Sequence, residues 1–242
     1  EYTVLDADST NLIAHYKFDG DFTDSSGNYH HLTNHGSTTQ STHMINDEAV
    51  DFDNSDYLEF PSTINPYTIW NGNGITFSFW FRMTASGSWS RFLDFQQTAS
   101  TDNGILIARH RTSNNIRILI NDTIYTDVSL TNILDSTWHH FTFSVDVSGV
   151  WIVYLDNVNQ NISQTQNIPN ITYNFRYINK SVYPTDGNFD GQIDDFRIYD
   201  KVLTATEISN LANNRILALT TPIDSSPSYL EDLRIWKKSL TH

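Results

Sequence analysis

Oxygen-bearing side chains concentrate in the stretch DGDFTDSSGN, residues 19–28, which holds Asp19, Asp24 and Asn28 beside two glycines. This composition is typical of an irregular turn that can offer carboxylate and amide oxygens to calcium. A further acid, Asp194, stands in an otherwise apolar extended segment, where a buried carboxylate is costly unless it is paired or bound to a metal. The alternative for all of these acids is ordinary turn chemistry, in which they accept backbone hydrogen bonds.

Three aromatic residues in loop-like stretches have the chemistry of a saccharide site. Trp70 lies in NPYTIWNGNG, Trp89 in SGSWS and Tyr183 in SVYPTDGNF. A sugar needs an aromatic face for its apolar side and amide or carboxylate groups for its hydroxyls. The polar neighbours that we predict to complete such a site are Asn71, Asn73 and Asp186. The alternative is that these aromatic residues cap the ends of the fold.

The sequence offers little for catalysis. Glycosidases place two carboxylates on either side of one bond, and no pair of the few glutamates has a suitable spacing. Asp51 and Asp53 share one face of an extended run and are the remaining candidates. A G-x-S-x-G elbow and a phosphate-binding glycine loop are both missing from the sequence. His30, His31 and His35 lack the cysteines or the helical spacing that favour zinc.

Charge and composition limit the partners. Lys and Arg total 14 against 28 acids, a net charge of −14, which disfavours nucleic acid and anionic membranes. The sequence has no cysteine, so it contains neither disulfides nor thiolate metal sites. The sequence contains no run of 18 apolar residues, so no membrane-spanning helix is predicted. Because the chain begins with Glu1, we expect a processed or excised piece.

Alternating patterns predict an all-β domain. The clearest strands are Leu12 to Phe18, Ile75 to Met83 and Gln192 to Tyr199, and the runs around residues 49–60 and 138–155 read as hairpins. In the last strand, strict alternation places Asp194 on the same face as Phe196. Thr204 and Glu207 then have the spacing of a capping box, so a short helix should begin there.

The motifs YKFDGDFTDSSGN, WHHFTFSVD and GQIDDFRIYDKVLTATEI, in that order, resemble the laminin-G-like, concanavalin A-like jelly-roll modules of pentraxins and of many bacterial and viral surface proteins. The resemblance covers residues 11–213 and implies a sandwich of two antiparallel sheets with one short C-terminal helix. It also implies a core role for Trp138. Because many members hold calcium near the first and last motifs, it implies a structural Ca²⁺ ion bound by Asp19, Asp24, Asn28 and Asp194.

The two ends of the chain lie outside that resemblance. Residues 1–10 read as a lead-in arm, and residues 214–242 as a linker followed by a repeat of the closing strand. Tyr229 to Thr241 repeats Gln192 to Thr204 and is expected to pair with a neighbouring module or another chain, either as a donated strand or as part of a truncated repeat.

Three functions are compatible with this fold. The leading hypothesis is a non-enzymatic, lectin-like module outside the cell, on a cell surface or on a virion, binding a glycan or a surface protein. The second is a structural module that decorates an assembly. The third is a relative of glycoside hydrolases. Fold alone does not choose between them.

Overall fold

The computed structural model describes residues 9–36, 38–41, 48–53, 55–101 and 103–220. Over these residues the chain forms two antiparallel sheets around one apolar core. The strands are β1 Leu12–Tyr16, β2 Thr33–His35, β3 Thr39–Ser41, β4 Ala49–Phe52, β5 Tyr57–Glu59, β6 Ile75–Ser86, β7 Arg91–Gln96, β8 Ile105–Arg109, β9 Asn115–Ile120, β10 Ile124–Ser129, β11 His139–Val145, β12 Trp151–Leu155, β13 Val158–Asn159, β14 Phe175–Ile178 and β15 Phe189–Tyr199. The helices are α1 Pro66–Trp70 and α2 Ala205–Thr220. The predicted all-β jelly-roll is confirmed.

Sheet A has the strand order β13-β12-β11-β6-β15-β4-β3, with β1 also paired to β15. Leu12 opposes Tyr199 and Tyr16 opposes Phe196, so the first and last strands are neighbours, as the sequence predicts. Sheet B has the order β10-β9-β8-β7-β14-β5-β2, in which β7 to β10 form a meander. We call the side of each sheet that points away from the core its outer face.

Alternation along the strands fills the core with aromatic rings. Phe77 and Phe79 of β6 are fully buried, and the Phe79 ring stacks on that of Phe196 with centroids 5.3 Å apart. Phe60 contacts both Phe95 of sheet B and Phe196 of sheet A, at 5.1 and 5.6 Å, and so joins the two sheets. Truncating such a ring to alanine costs about 3–5 kcal/mol.

Trp138 is half-buried and does not belong to the core cluster, so the core role implied for it is wrong. Phe141 and Phe143 of β11 point into the core, and strand alternation therefore turns residue 138 to the opposite side. Trp151 on the neighbouring strand β12 is the buried tryptophan of this hairpin, and its ring contacts Phe143.

A β-bulge in β15 makes the predicted orientation of Asp194 wrong. The register with β6 skips between Asp194 and Arg197, and Asp195 has a left-handed φ of 51°. A bulge inserts one extra residue and shifts the alternation. Ile193 and Phe196 therefore both point into the core, while Asp194 lies on the outer side of sheet A rather than beside Phe196.

The run around residues 49–60 is not the hairpin that the sequence predicts. Strand β4 pairs within sheet A and β5 pairs within sheet B, so the turn between them carries the chain from one sheet to the other. Within that turn the Asp56 N–H donates to the Asp53 carbonyl. The crossing places Tyr57 and Glu59 on sheet B.

Helix α2 begins with the predicted capping box. The Thr204 N–H donates to the Glu207 carboxylate at 2.7 Å, and the Glu207 N–H donates to the Thr204 hydroxyl at 3.3 Å. Ile208 and Leu211 pack against Tyr199 on the outer face of sheet A. The helix continues to Thr220, so the linker predicted from residue 214 is wrong for its first seven positions. The good helix formers in RILALT account for the extension.

The repeated strand motif at Tyr229 to Thr241 and most of the lead-in arm lie outside the described residues. Among the helices that the structure describes, none is long and apolar enough to cross a membrane.

Candidate functional site

The three loop aromatic residues separate to opposite ends of β6. Trp70 ends helix α1 just before β6 begins, whereas Trp89 and Tyr183 lie near the end of β6. Trp70 is 7% exposed, and its indole N–H donates to the Asp146 carbonyl at 2.8 Å. Its ring is therefore part of the core and is not available to a ligand. Asn71 and Asn73 follow it as exposed turn residues.

The loops that carry Trp89 and Tyr183 touch each other through two glycines. A Cβ on Gly87 would lie 2.7 Å from the Gly187 Cα, so neither position accepts a side chain without movement. Arg91 fixes the contact because its guanidinium donates to Asp186 at 2.8 Å. Asp186 therefore holds the loop of residues 181–187 in place, and Tyr183 in that loop is half-buried.

Arg91 also contacts a second acid, Asp94, which is completely buried on β7. The Asp94 carboxylate accepts hydrogen bonds from Arg91, from the Gln96 side chain and from the Val182 N–H. Complete burial raises the pKa of Asp94, and the Arg91 charge opposes that shift. This buried cluster binds the loop of residues 181–187 to the outer face of sheet B.

On one side of that loop lies a group of residues that we call the Trp89 patch. It consists of Trp89, His110, Arg117, Tyr125 and Asp127. The Arg117 guanidinium carbon lies 3.9 Å from the Tyr125 ring centroid and 5.6 Å from that of Trp89. Asp127 accepts two hydrogen bonds from the same guanidinium, at 2.8 and 2.7 Å. The cation of this patch is thus already neutralised inside the protein.

On the other side of the loop of residues 181–187, on the same outer face of sheet B, lies a second group, the Tyr57 patch. It consists of His35, Tyr57, Glu59, Tyr177 and Lys180. The strand registers place these residues together, since Tyr57 opposes His35 and Tyr177 opposes Glu59. The His35 and Tyr57 rings stack at 4.5 Å, and the Tyr57 and Tyr177 rings meet edge to face at 5.4 Å. No local pattern in the sequence indicates this group.

The polar atoms of the Tyr57 patch are oriented and remain accessible. The His35 Nε2 atom lies 3.0 Å from the Glu59 carboxylate, and these side chains are 34% and 29% exposed. The Lys180 ammonium lies 3.6 Å from the Tyr57 centroid and 4.8 Å from that of Tyr177. Burial, followed by the negative charge of Glu59, raises the pKa of Tyr177. The patch therefore combines aromatic surface, a carboxylate, an imidazole and an ammonium group.

Asn179 positions Lys180 over the two tyrosines. It has a left-handed φ of 59° and is completely buried. Its amide nitrogen donates to the carbonyls of Asp56 and Phe189, and its amide oxygen accepts from the Phe189 N–H. Asparagine tolerates this backbone conformation better than most residues. Asn179 also heads an N-x-S/T sequon, and its burial makes it inaccessible to glycosylation in the folded protein.

The predicted calcium ligands already have partners within the protein. Asp24 accepts hydrogen bonds from the N–H groups of His15, Ser26 and His30. Burial by itself would raise the pKa of Asp24, but these backbone hydrogen bonds outweigh it and hold the pKa below its usual value. The Asn28 amide donates to the carbonyls of Leu12 and Ile13.

The other two predicted ligands, Asp19 and Asp194, accept the N–H groups of Glu48 and Asp195. The described part of the chain holds no group of three His, Asp or Glu side chains that could bind a metal ion. The calcium ion stays a prediction.

No catalytic carboxylate pair is assembled from the candidates. Asp53 falls in the turn after β4 and accepts hydrogen bonds from Ser55, so it no longer shares a strand face with Asp51. Glu59 and Asp94 both oppose Tyr177 across sheet B, but Asp94 is fully buried by its own partners. Of these two acids, Glu59 is therefore the accessible one.

Comparison with solved structures supports the fold. Domain 4 of AbnA, an extracellular arabinanase from Geobacillus stearothermophilus solved with arabinotriose, is similar with a TM-score of 0.64 and 21% identity, covering 84% of this chain and 98% of that domain. The binding domain of botulinum neurotoxin DC, solved with rat synaptotagmin II, has a TM-score of 0.66 at 16% identity. The binding domain of Paraclostridial Mosquitocidal Protein 1 has a TM-score of 0.64 at 18% identity.

The similarity to the two toxin domains is partial. The match covers 86% and 85% of this chain but only 52% of each toxin binding domain, so the chain spans about half of their length. No curated protein is similar enough in sequence to count as a match. A family model described as the concanavalin A-like lectin/glucanases superfamily, in its Laminin_G_3 form, matches residues 52–209. This chain therefore belongs to the concanavalin A-like lectin/glucanase superfamily.

Proposed function

We propose that this protein is a non-enzymatic recognition module that binds a saccharide on the Tyr57 patch. The observation that carries the proposal is the half-exposed aromatic surface of His35, Tyr57 and Tyr177 next to an accessible carboxylate. Sugars are held by aromatic rings that cover their apolar side and by polar groups that bind their hydroxyls. Glu59 supplies the acceptor, and Lys180 supplies the donor.

The relatives are consistent with this proposal. One similar domain belongs to an arabinanase and was solved with arabinotriose, and others belong to the binding portions of toxins. At these identities the likeness supports the fold, and the step to a saccharide ligand for this chain depends on the Tyr57 patch itself. We also propose that the module acts outside the cell, on a cell surface or on a virion.

The geometry favours binding over hydrolysis. Glycoside hydrolysis needs a general acid and a second carboxylate on either side of the bond. The Glu59 carboxylate lies 3.5 Å from the Arg176 guanidinium and 3.0 Å from the His35 imidazole. Asp94, which lies across Tyr177 from Glu59, is buried and accepts hydrogen bonds from Arg91 and Gln96. Neither arrangement leaves an acid free to protonate a leaving group.

A glycan array followed by calorimetry tests the proposal. The parent protein is expected to bind at least one saccharide class, and Tyr177→Ala is expected to lower that affinity about tenfold or more. Tyr125→Ala is the matched control, because it removes a tyrosine from the Trp89 patch on the same sheet face. Loss of binding in the control alone, or no binding by the parent, would contradict the proposal and favour a structural module or a protein partner.

The calcium ion is a separate proposal that rests on the acids of residues 19–28 and on Asp194. A metal that binds only the folded form stabilises it by mass action, so the melting temperature should rise with free calcium. We expect this rise between excess chelator and about millimolar calcium, and we expect Asp194→Asn to abolish it. An identical melting curve in both conditions would leave the acids as turn formers.

A further inference from the structure

We infer that the saccharide bound by the Tyr57 patch carries a negatively charged group, and that Lys180 recognises it. The inference rests on the proposed function and deepens it by naming the ligand class: saccharides with a sialic acid, a uronic acid or a sulfate. It starts from the one cation that the patch holds over its aromatic rings.

The Lys180 ammonium is fixed in position without a carboxylate partner. It lies over Tyr57 and Tyr177, and none of the described carboxylates forms an ion pair with it. The other cation near the patch, Arg176, is paired with Glu59 and also donates to the Phe60 carbonyl. A cation–π contact holds an ammonium group in place but leaves its positive charge uncompensated.

The backbone around Lys180 is built to hold this position. Asn179, directly before it, is buried and makes three hydrogen bonds to Asp56 and Phe189. Ser181, directly after it, donates its hydroxyl to Asp186, which is itself bound by Arg91. An ammonium group that is already oriented loses little side-chain freedom when it binds an anion.

Because the protein has a net charge of −14, we expect Lys180 to favour a small anionic group over an extended polyanion. Exposed charges are screened beyond about 8 Å at physiological ionic strength, so an anionic group beside the Lys180 ammonium responds mainly to Lys180 and its close neighbours. An extended polyanion such as nucleic acid would also meet the acidic remainder of the surface and be repelled. A sugar with a single charged group fits the patch better than a polyanion.

The test uses pairs of saccharides that differ only in charge. Sialyllactose is compared with lactose, trigalacturonate with its methyl ester, and a sulfated disaccharide with its unsulfated form, by calorimetry on the full chain. The parent protein should prefer the charged member of at least one pair about tenfold, and Lys180→Gln should remove that preference. Lys17→Gln, which removes an exposed lysine on the strand-β1 side, should leave the preference unchanged.

The outcomes separate this inference from the proposed function. Equal affinity for charged and neutral members, or a preference that survives Lys180→Gln, would overturn the inference while leaving saccharide binding in place. Loss of the preference in Lys17→Gln as well would show a general charge effect and also overturn it. A parent protein that binds no saccharide would overturn both.

Discussion

The Trp89 patch and the Tyr57 patch lie on the same outer face of sheet B and share the same ingredients. Each stacks a basic side chain on two aromatic rings, Arg117 on Trp89 and Tyr125 in one, and Lys180 on Tyr57 and Tyr177 in the other. They differ in charge balance. Arg117 is bound by both oxygens of Asp127, whereas Lys180 has no carboxylate partner among the described residues.

We propose that this difference separates a structural cluster from a recognition surface. A bidentate arginine–carboxylate pair satisfies its own charge and hydrogen-bonding groups, so it has little to offer a ligand. In addition, Trp89 rests on the buried side chains of Leu106 and Leu119, which shows that its ring serves packing. In the Tyr57 patch, the Lys180 ammonium is not paired with a described carboxylate, so an anionic group of a ligand can pair with it.

The largest expected effect comes from breaking the buried cluster between the two patches. In Arg91→Met, the guanidinium that binds Asp94 and Asp186 is lost while the shape is roughly kept. Removing one partner of a buried ion pair costs about 3–5 kcal/mol because the remaining charge is uncompensated. Urea denaturation measures this loss, and a cost near zero would show that the cluster does not hold the loop of residues 181–187.

The next effect distinguishes the two patches by stability. Trp89→Ala should lower the free energy of unfolding by about 2 kcal/mol through lost packing on Leu106 and Leu119, with saccharide binding unchanged. Tyr57→Ala should cost less stability and abolish binding. Denaturation and calorimetry on both variants give the comparison, and a reversed pattern would assign recognition to the Trp89 patch.

Local patterns in the sequence predict the individual strands around the site but not their partners. Tyr177 lies in the run Tyr173 to Ile178, which the sequence predicts as a strand, and Tyr57 lies in a run with clear alternation. The run containing Tyr57 reads as the second half of a hairpin, because nothing local reveals that the turn of residues 53–56 crosses between sheets. The pairing of β5 with β14, over a hundred residues apart, is what creates the patch.

The errors in the predicted site have similar causes. A short helix buries Trp70, which local composition presents as a loop residue. The bulge at Asp195 breaks the alternation on which the facing of Asp194 depends. Apart from the asparagine itself, nothing in the sequence predicts the positive φ at residue 179. The role of Asn179 in positioning Lys180 follows only from its hydrogen bonds in the structure.

The smallest effect is a pH dependence of stability outside both patches. Burial tends to lower the pKa of His139, but the hydrogen bond to Asp156 and the charges of Asp156 and Asp135 outweigh it and raise the pKa. The stabilisation is therefore complete below the ordinary histidine pKa of about 6.5 and is lost as pH rises through the folded value.

Asp156→Asn removes the main acid of this cluster. It should destabilise the protein more at about pH 5.5 than at about pH 8.5, as thermal melts would show, while saccharide binding stays the same. The same destabilisation at both pH values would mean that the charge of His139 does not contribute.

Mapping a bound saccharide by NMR shows directly whether the Tyr57 patch is the binding site. The best ligand from the array is titrated into ¹⁵N-labelled protein, and the amide signals of the two patches are followed. We expect the shifts to concentrate at Tyr57, Glu59, Tyr177 and Lys180 and to leave Arg117 and Tyr125 unchanged. Shifts centred on the Trp89 patch, or on Asn71 and Asn73 at the opposite end of β6, would contradict it.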